Sequence, residues 1–282
     1  MLEILQSGLY TSIQDLGRFG YRNYGVPVSG VMDEFHAKLA NLILGNDQNA
    51  AVLEMTLQGA SVHFHEATQI VICGADLSPK LNRKLLRLNI PVNVSKGDQL
   101  EFGARKYGVR TYLAVKDGFQ TEKILGSRSF YDGITATSRI ATGDFVPYLA
   151  KAEKIQVSSN IGFQPELFNS YEINVFKGPE FDFLSKLQQE KLLNTTFSVG
   201  LNNRMAFQLN ELFANDFPSI ITSAVLPGTI QLTPSGKLII LMKDCQTTGG
   251  YPRILQLDKK SISILSQKHT RDSIHFKMLS IL

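Results

Sequence analysis

A chain of 282 residues with 43% hydrophobic and 19% charged residues has the composition of a folded globular protein rather than a disordered one. Its net charge of +4 is scattered, and the densest basic stretch, LNRKLLRLN, is short and interleaved with leucine, which argues against a nucleic-acid surface. Two cysteines in apolar runs, Cys73 and Cys245, are too few for a disulfide framework, no apolar run reaches the length of a membrane span, and the start MLEILQSG lacks a basic leader, so the expectation is a cytoplasmic protein that binds neither nucleic acid nor membrane.

The first predicted feature is a long loop. Residues 11–33, TSIQDLGRFGYRNYGVPVSGVMD, hold four glycines and no helix or strand period. Loops of that length are usually functional or disordered. Leu16, Phe19, Tyr21, Tyr24 and Val26 offer too much apolar surface for disorder. Asp33 then caps a predicted helix, EFHAKLANLIL, with Phe35, Leu39, Leu42 and Ile43 on one face and Gly45 as its stop. Strand signals follow in ASVHFH, TQIVICGA, VNVSKGDQLEFG and RTYLAVKDG, bounded by turn residues. Residues 150–170 have the weakest pattern and read as a connector. Beyond them come the strand YEINVFKG and a helix from Ser185, where Ser185 and Gln188 have capping-box spacing and Leu187 and Leu192 line an inner face. TPSGK reads as a hairpin turn between TIQL and LIILM. The fold class expected is mostly β with a few helices, a barrel or sandwich. The expected domains are 1–155 and 170–282, joined by a connector at 156–169.

Two segments are candidates for chemistry. In DCQTTGGYPRI (244–254), paired threonines and glycines follow a strand. Gly249 and Gly250 can take positive φ, such turns make anion sites, and Arg253 can clamp a carboxylate. The plain alternative is a tight barrel corner. In the opening loop, Gln14, Asp15, Arg18, Ser29 and Asp33 are polar groups threaded among glycines, with Asp33 better explained as a cap. His63 and His65 share one strand face beside Glu66, but His36, His269 and His275 stand at no ligand-like spacing, so no metal is expected. GADLSPKLN, with Asp76, Ser78 and Asn82, reads as a polar turn. Arg204, in NNRMAF, is either aimed into a cleft or a strand-edge charge. There is no phosphate-binding loop, dinucleotide fingerprint, nucleophile elbow or biotin-carrying lysine hairpin.

In order along the chain, QDLGRFGYRNYGVPVSGVMD, GADLSPKLN, KGDQLEFG, YLAVKDGF, LGSRS, GPEFD, NRMAF, LPGTIQLTPSGKLIIL and QTTGGYPRI resemble one family over about Ile4 to Phe276. It is the biotin-dependent carboxyltransferase-like family, also called allophanate hydrolase subunit 2, which includes the C-type subunit of bacterial 5-oxoprolinase, the antagonist of a sporulation-kinase inhibitor. The resemblance implies two cyclophilin-like β-barrel lobes in one chain. It also implies a subunit of an ATP-dependent 5-oxoprolinase that opens 5-oxoproline to L-glutamate, active only beside a homologous subunit (of the kinase-inhibitor, or B, type) and a third subunit. ATP is then used by the complex, its binding subunit unassigned. Two alternatives stay open: carboxyl transfer to urea or another small amide, with biotin carried by a partner, and a regulatory module antagonising a kinase inhibitor. The family's motif residues fall on Gln14, Asp15, Gly17, Arg18, Gly20, Pro27, Ser29, Gly30, Met32 and Asp33, on Arg204, and on Gln246, Thr247, Thr248, Gly249, Gly250, Tyr251, Pro252 and Arg253. No catalytic acid or base is assigned. Arg18, Arg204 or Arg253 is expected to hold a substrate carboxylate, and the opening loop to fold against QTTGGYPR. The sequence departs from the family's pattern at Phe19, Arg83, Asn203 and Cys245, where proline, glycine, aspartate and arginine are expected.

Overall fold

The computed structural model describes residues 1–150 and 166–280. The connector expected at 156–169 lies outside the described residues as far as 165. Two compact units form, Met1–Arg18 with Ser29–Pro165 and Phe19–Val28 with Glu166–Leu282. The second unit therefore takes ten residues from the middle of the opening loop.

The first unit is built from two antiparallel sheets. One runs Phe145–Val146, Leu2–Gln6, Ser61–Phe64, Gln99–Glu101, Lys80–Leu81, Lys84–Leu85 in spatial order. The other runs Tyr10–Gln14, Val52–Thr56, Tyr107–Val115, Thr68–Asp76, Val92–Val94. Side chains alternate between strand faces, so Leu2, Ile4, Val62 and Phe64 of the first sheet meet Ile13, Leu53, Ile70, Ile72 and Leu113 of the second in one core. The intervening residues Val71, Cys73, Tyr112 and Ala114 face a second cluster with Ala37 and Ala40 of helix α1, Glu34–Ile43. Burial on both faces explains why QIVIC is apolar without alternation. The Cys73 thiol is pushed far up by that burial and stays protonated.

Helix α1 begins where expected, with the Asp33 side chain accepting from the His36 N–H, and ends at Leu44 before Gly45. Its buried face differs from the expected one. His36, Ala37, Ala40 and Asn41 are buried, Leu39 and Ile43 pack at the margin, and Phe35 and Leu42 are 43% and 61% exposed. Small alanines bring the helix close to the sheet, and the larger side chains flank that line rather than define it.

The second unit is a closed barrel of seven strands: Glu172–Lys177, Arg253–Leu257, Thr229–Leu232, Leu238–Leu241, Ala206–Leu209, Thr196–Asn202 and Ser273–Met278. It closes through a parallel pairing of the last with the first. The hairpin over TPSGK forms as expected, Leu232 pairing with Leu238 and Gly236 at φ +83°. Ile173, Val175, Phe197, Phe207, Ile230, Ile240, Leu255 and Phe276 are buried in this unit. Among the described residues three further α-helices are present: α2, Glu166–Asn169; α3, Lys186–Asn194; and α4, Lys259–Ser266. The Ser185 and Gln188 capping box of α3 is complete. Leu192 is buried, but Leu187, expected inside, is 76% exposed. The described residues are thus mostly β with four α-helices, as expected of the fold class.

One glycine fixes how the barrel's first strand leaves its neighbour. A Cβ on Gly178 would overlap the backbone carbonyl of Arg253, while the Gly178 N–H already donates to the Ile254 carbonyl at 2.9 Å. Gly178→Ala is predicted to cost about 2–3 kcal/mol, because backbone atoms cannot yield as a side-chain tip can. An unchanged denaturation midpoint would show that the two segments are not held together as described.

Candidate functional site

The opening loop is fastened within the first unit by one carboxylate. Asp15 is buried, and its Oδ1 accepts from the Gly17 N–H (2.9 Å), Ser127 Oγ (2.6 Å) and Ser129 Oγ (2.7 Å). Its Oδ2 accepts from the Arg128 N–H at 2.6 Å. LGSRS is therefore the anvil against which the loop is held. Arg18, fully buried, donates to the Ile124 carbonyl at 3.2 Å and the Ser129 carbonyl at 2.7 Å. Gln14 donates to Ser12 Oγ and the Phe130 carbonyl, leaving a buried Oε1 without a hydrogen-bond partner. Ser29, at φ +55°, is buried with its Oγ likewise unpartnered. Buried polar atoms without partners are uncommon and mark places where a ligand or water completes the bonding.

Asp33 does more than cap α1. Its Oδ2 lies 2.5 Å from His36 Nδ1, and its N–H donates to the Tyr112 hydroxyl at 2.8 Å. That hydroxyl donates to Glu54 Oε2 at 2.9 Å, which also accepts from the Met32 N–H at 2.7 Å. Burial, with the nearby Glu54 and Asp33 charges, holds the Tyr112 hydroxyl well above the usual tyrosine range, so it acts as a donor and not a base. Sequence reasoning missed Glu54 and Tyr112, whose only signal is polarity inside otherwise apolar strands.

In the second unit the QTTGG turn is framed by arginines already matched to carboxylates. Arg204 makes a bidentate pair with Asp244, Nε to Oδ2 at 2.7 Å and Nη2 to Oδ1 at 3.0 Å. Arg253 does the same with Glu180, at 2.9 Å and 2.7 Å, and its Nη1 donates to the Ala224 carbonyl. The hydrogen bonds from Arg253 hold the Glu180 carboxyl below the usual glutamate range. Fork-to-fork pairs of this kind fix geometry as well as charge. Thr248–Gly249 pairs with Ser223–Ala224, and the Ile220 N–H donates to the Gly250 carbonyl. Neither Gly249 nor Gly250 takes the positive φ expected of it. Glycine at 249 answers a packing demand instead, since a Cβ there would lie 2.5 Å from Nε2 of buried Gln231. Gln246, Thr248 and Tyr251 are exposed on this turn, and Thr247 is half-buried.

The expected approach of the opening loop to this turn is realised by a residue outside the predicted set. Arg22, within the loop segment that belongs to the second unit, donates through Nη2 to the carbonyls of Val225 and Thr247. Its charge also acts on the Cys245 thiol. Burial lifts that thiol to about 11, with the guanidinium pulling the other way, so Cys245 is not a nucleophile at neutral pH. Among the described residues no carboxylate neutralises Arg22, and its Nη1 is buried without a hydrogen-bond partner. Gln14, Asp15, Arg18, Ser29 and Asp33 lie in the first unit; Arg204 and residues 246–253 lie in the second.

A family model for the carboxyltransferase domain, subdomains A and B, matches residues 24–278. The chain belongs to the carboxyltransferase domain family. Among its relatives, the C-type subunit of the Escherichia coli 5-oxoprolinase is 30% identical over 100% of this chain and 92% of its own length. The urea amidolyase of Lachancea kluyveri is 42% identical over 130 residues, 46% of this chain and 7% of that protein. Of the solved structures, the urea carboxylase of Kluyveromyces lactis superposes with a TM-score of 0.84 at 28% identity, covering 99% of this chain and 27% of that one. In this carboxyltransferase domain the two site departures have local explanations. Asn203 Oδ1 accepts from the N–H groups of Met205 and Ala206, a turn that aspartate would make equally well. At Cys245, where arginine is expected, the positive charge near the thiol comes from the guanidinium of Arg22.

Proposed function

We propose that the chain is the C-type subunit of a 5-oxoprolinase complex, which opens 5-oxoproline to L-glutamate with ATP. It works beside a homologous carboxyltransferase-like subunit and a third subunit. The observation that carries this reading is full-length similarity to the E. coli C-type subunit, which leaves no part of this chain unmatched. Opening the lactam breaks one C–N bond and adds water, giving an amine and a second carboxylate. A site for it needs a cation for the existing carboxylate and donors for the lactam oxygen.

In this reading Arg22 supplies the cation, because Arg204 and Arg253 are already paired with Asp244 and Glu180. The exposed Gln246 and Thr248, with Thr247, supply polar contacts to the amide. Arg204, Arg253, Gly249, Gly250 and Tyr251 hold that turn in shape. In the first unit, taken by itself, Asp15 holds the opening loop through its four accepted hydrogen bonds and Asp33 caps helix α1. ATP is consumed by the assembled complex.

The test is glutamate release from 5-oxoproline by the co-expressed complex, with and without ATP and with this chain omitted. ATP-dependent release that requires this chain is expected. Arg22→Ala in an intact complex is expected to lower kcat/KM by about 10–100-fold, the worth of one charge-assisted hydrogen bond pair. An unchanged rate would remove Arg22 from the site while leaving the function standing. A complex that assembles and releases no glutamate would overturn the function. The second reading, carboxyl transfer to urea from a biotinylated partner, is favoured by the 42% identity to urea amidolyase over part of the chain. It predicts that in that case urea is carboxylated when bicarbonate, ATP, a biotin carboxylase and its biotinylated carrier are supplied, the carrier's carboxybiotin giving up its carboxyl group to urea.

A further inference from the structure

The first sheet carries a side-chain cluster that the proposed function does not use. Leu2–Gln6 pairs antiparallel with Ser61–Phe64 in a register that sets Glu3 directly opposite His63. His65, two residues on, returns to the same face. The imidazole rings lie 4.6 Å apart between centroids. One carboxylate oxygen, Glu3 Oε2, sits 3.2 Å from His63 Nδ1 and 2.8 Å from His65 Nε2. All three potential ligand atoms fall within 4.8 Å of one another. Residues 60 or more positions apart in sequence thus converge on one point, which is why the histidine spacing alone gave no metal site.

We propose that Glu3, His63 and His65 form a binding site for a divalent first-row transition ion of the Zn2+ type. An ion with bonds of about 2.0–2.2 Å in a tetrahedral shell keeps its ligand atoms roughly 3.3–3.5 Å apart. The 3.2 Å separation is already close to that, the 2.8 Å one needs to open by roughly half an ångström or a little more, and all three ligand atoms are at side-chain tips. Two imidazole nitrogens and one carboxylate are a donor set for Zn2+, Ni2+ or Cu2+, whereas Mg2+ and Ca2+ take oxygen shells. The side chains are 25%, 38% and 30% exposed for His63, His65 and Glu3, so the ion can enter and water can fill the remaining position. Phe145, opposite Glu3 on the other neighbouring strand, places its ring 5.7 Å from that of His65 and walls one side. Bound here, the ion joins two adjacent strands of the sheet by a bridge that hydrogen bonds alone do not provide.

The experiment uses the untagged chain, titrated with ZnCl2 by calorimetry, with MgCl2 in parallel. One zinc per chain is expected, no magnesium, and a rise in melting temperature with zinc that a chelator reverses. Glu3→Gln, His63→Ala and His65→Ala are each expected to weaken zinc binding tenfold or more, since losing even an outer-shell partner of a metal ligand costs that much. His269→Ala, which lies outside the cluster, should leave the affinity unchanged. Should an alanine variant fail to fold, His65→Asn, which keeps a polar side chain of similar reach, carries the test. Absence of zinc binding by the wild type, or equal affinity in the cluster variants, would overturn the site. Equal binding of magnesium would overturn the assignment of the ion.

Discussion

Asp15→Ala is expected to destabilise the first unit by about 3–5 kcal/mol, the range found when one partner of a buried charged network is removed. The reason lies in the four donors that converge on this carboxylate. The hydroxyls of Ser127 and Ser129 can rotate to other acceptors. The N–H groups of Gly17 and Arg128 cannot, and a buried unsatisfied donor costs about 1–3 kcal/mol each. Asp15→Asn keeps one oxygen acceptor and should lose roughly half as much. Urea denaturation, analysed for two units rather than as a single transition, gives the comparison. A midpoint for Asp15→Ala indistinguishable from the wild type would mean that the carboxylate does not hold the loop. Because the same residue is a candidate for the substrate site, loss of activity in this variant is uninformative unless its stability is reported beside it.

The second large effect belongs to Arg253 and Glu180. Arg253→Ala strands a carboxylate that is 8% exposed in a site shaped for a guanidinium, and the expected loss is about 2–4 kcal/mol. The pH dependence follows from the lowered folded value of Glu180. A depressed glutamate contributes stability that is fully present above its unfolded value of about 4.3 and is lost as pH falls through the folded value. The wild type should therefore lose stability on acidification in that window, and Arg253→Ala should lose most of that increment, because backbone N–H groups alone, that of residue 253 among them, then hold the carboxyl down. Replacing both residues by apolar ones of similar volume, Arg253→Met with Glu180→Leu, should recover most of the loss, as it does where buried pairs serve geometry more than stability. A double-mutant cycle with no coupling between the two positions would refute the pairing. Activity of the reassembled complex, measured on the stable double variant, then separates a scaffold role from a substrate contact.

Much of the fold was legible because local chemistry and tertiary context agree. Asp33 and Ser185 cap helices where the sequence places caps, and TPSGK turns a hairpin between two apolar runs. The failures share a cause. Helix α4 was hidden because SISIL alternates like a strand, and only the Asp258 side chain, accepting from the Ser261 N–H at 2.6 Å, and burial of Ile262, Ile264 and Leu265 decide it. Leu187 was assigned inward because leucine usually is, yet α3 buries little more than Leu192. In the candidate site the residue types were readable but their partners were not. Arg204 and Arg253 look like free guanidiniums in sequence, since Asp244 and Glu180 stand 40 and 73 positions away. Arg22 drew no attention because nothing nearby in sequence marks it as lacking a carboxylate.

The transfer of Phe19–Val28 to the second unit has a consequence for how the molecule is made. On a ribosome these ten residues emerge among the first, but the strands they accompany begin only at Glu172. For most of synthesis the segment has no surface to rest on, while the loop ends at Arg18 and Ser29 can already be fastened. The second unit is therefore completed by the oldest part of the chain and not the newest. It follows that a fragment cut anywhere in 151–165 and begun afresh would lack the Arg22 bonds to the Val225 and Thr247 carbonyls, and supplying Phe19–Val28 as a separate peptide should be what restores them.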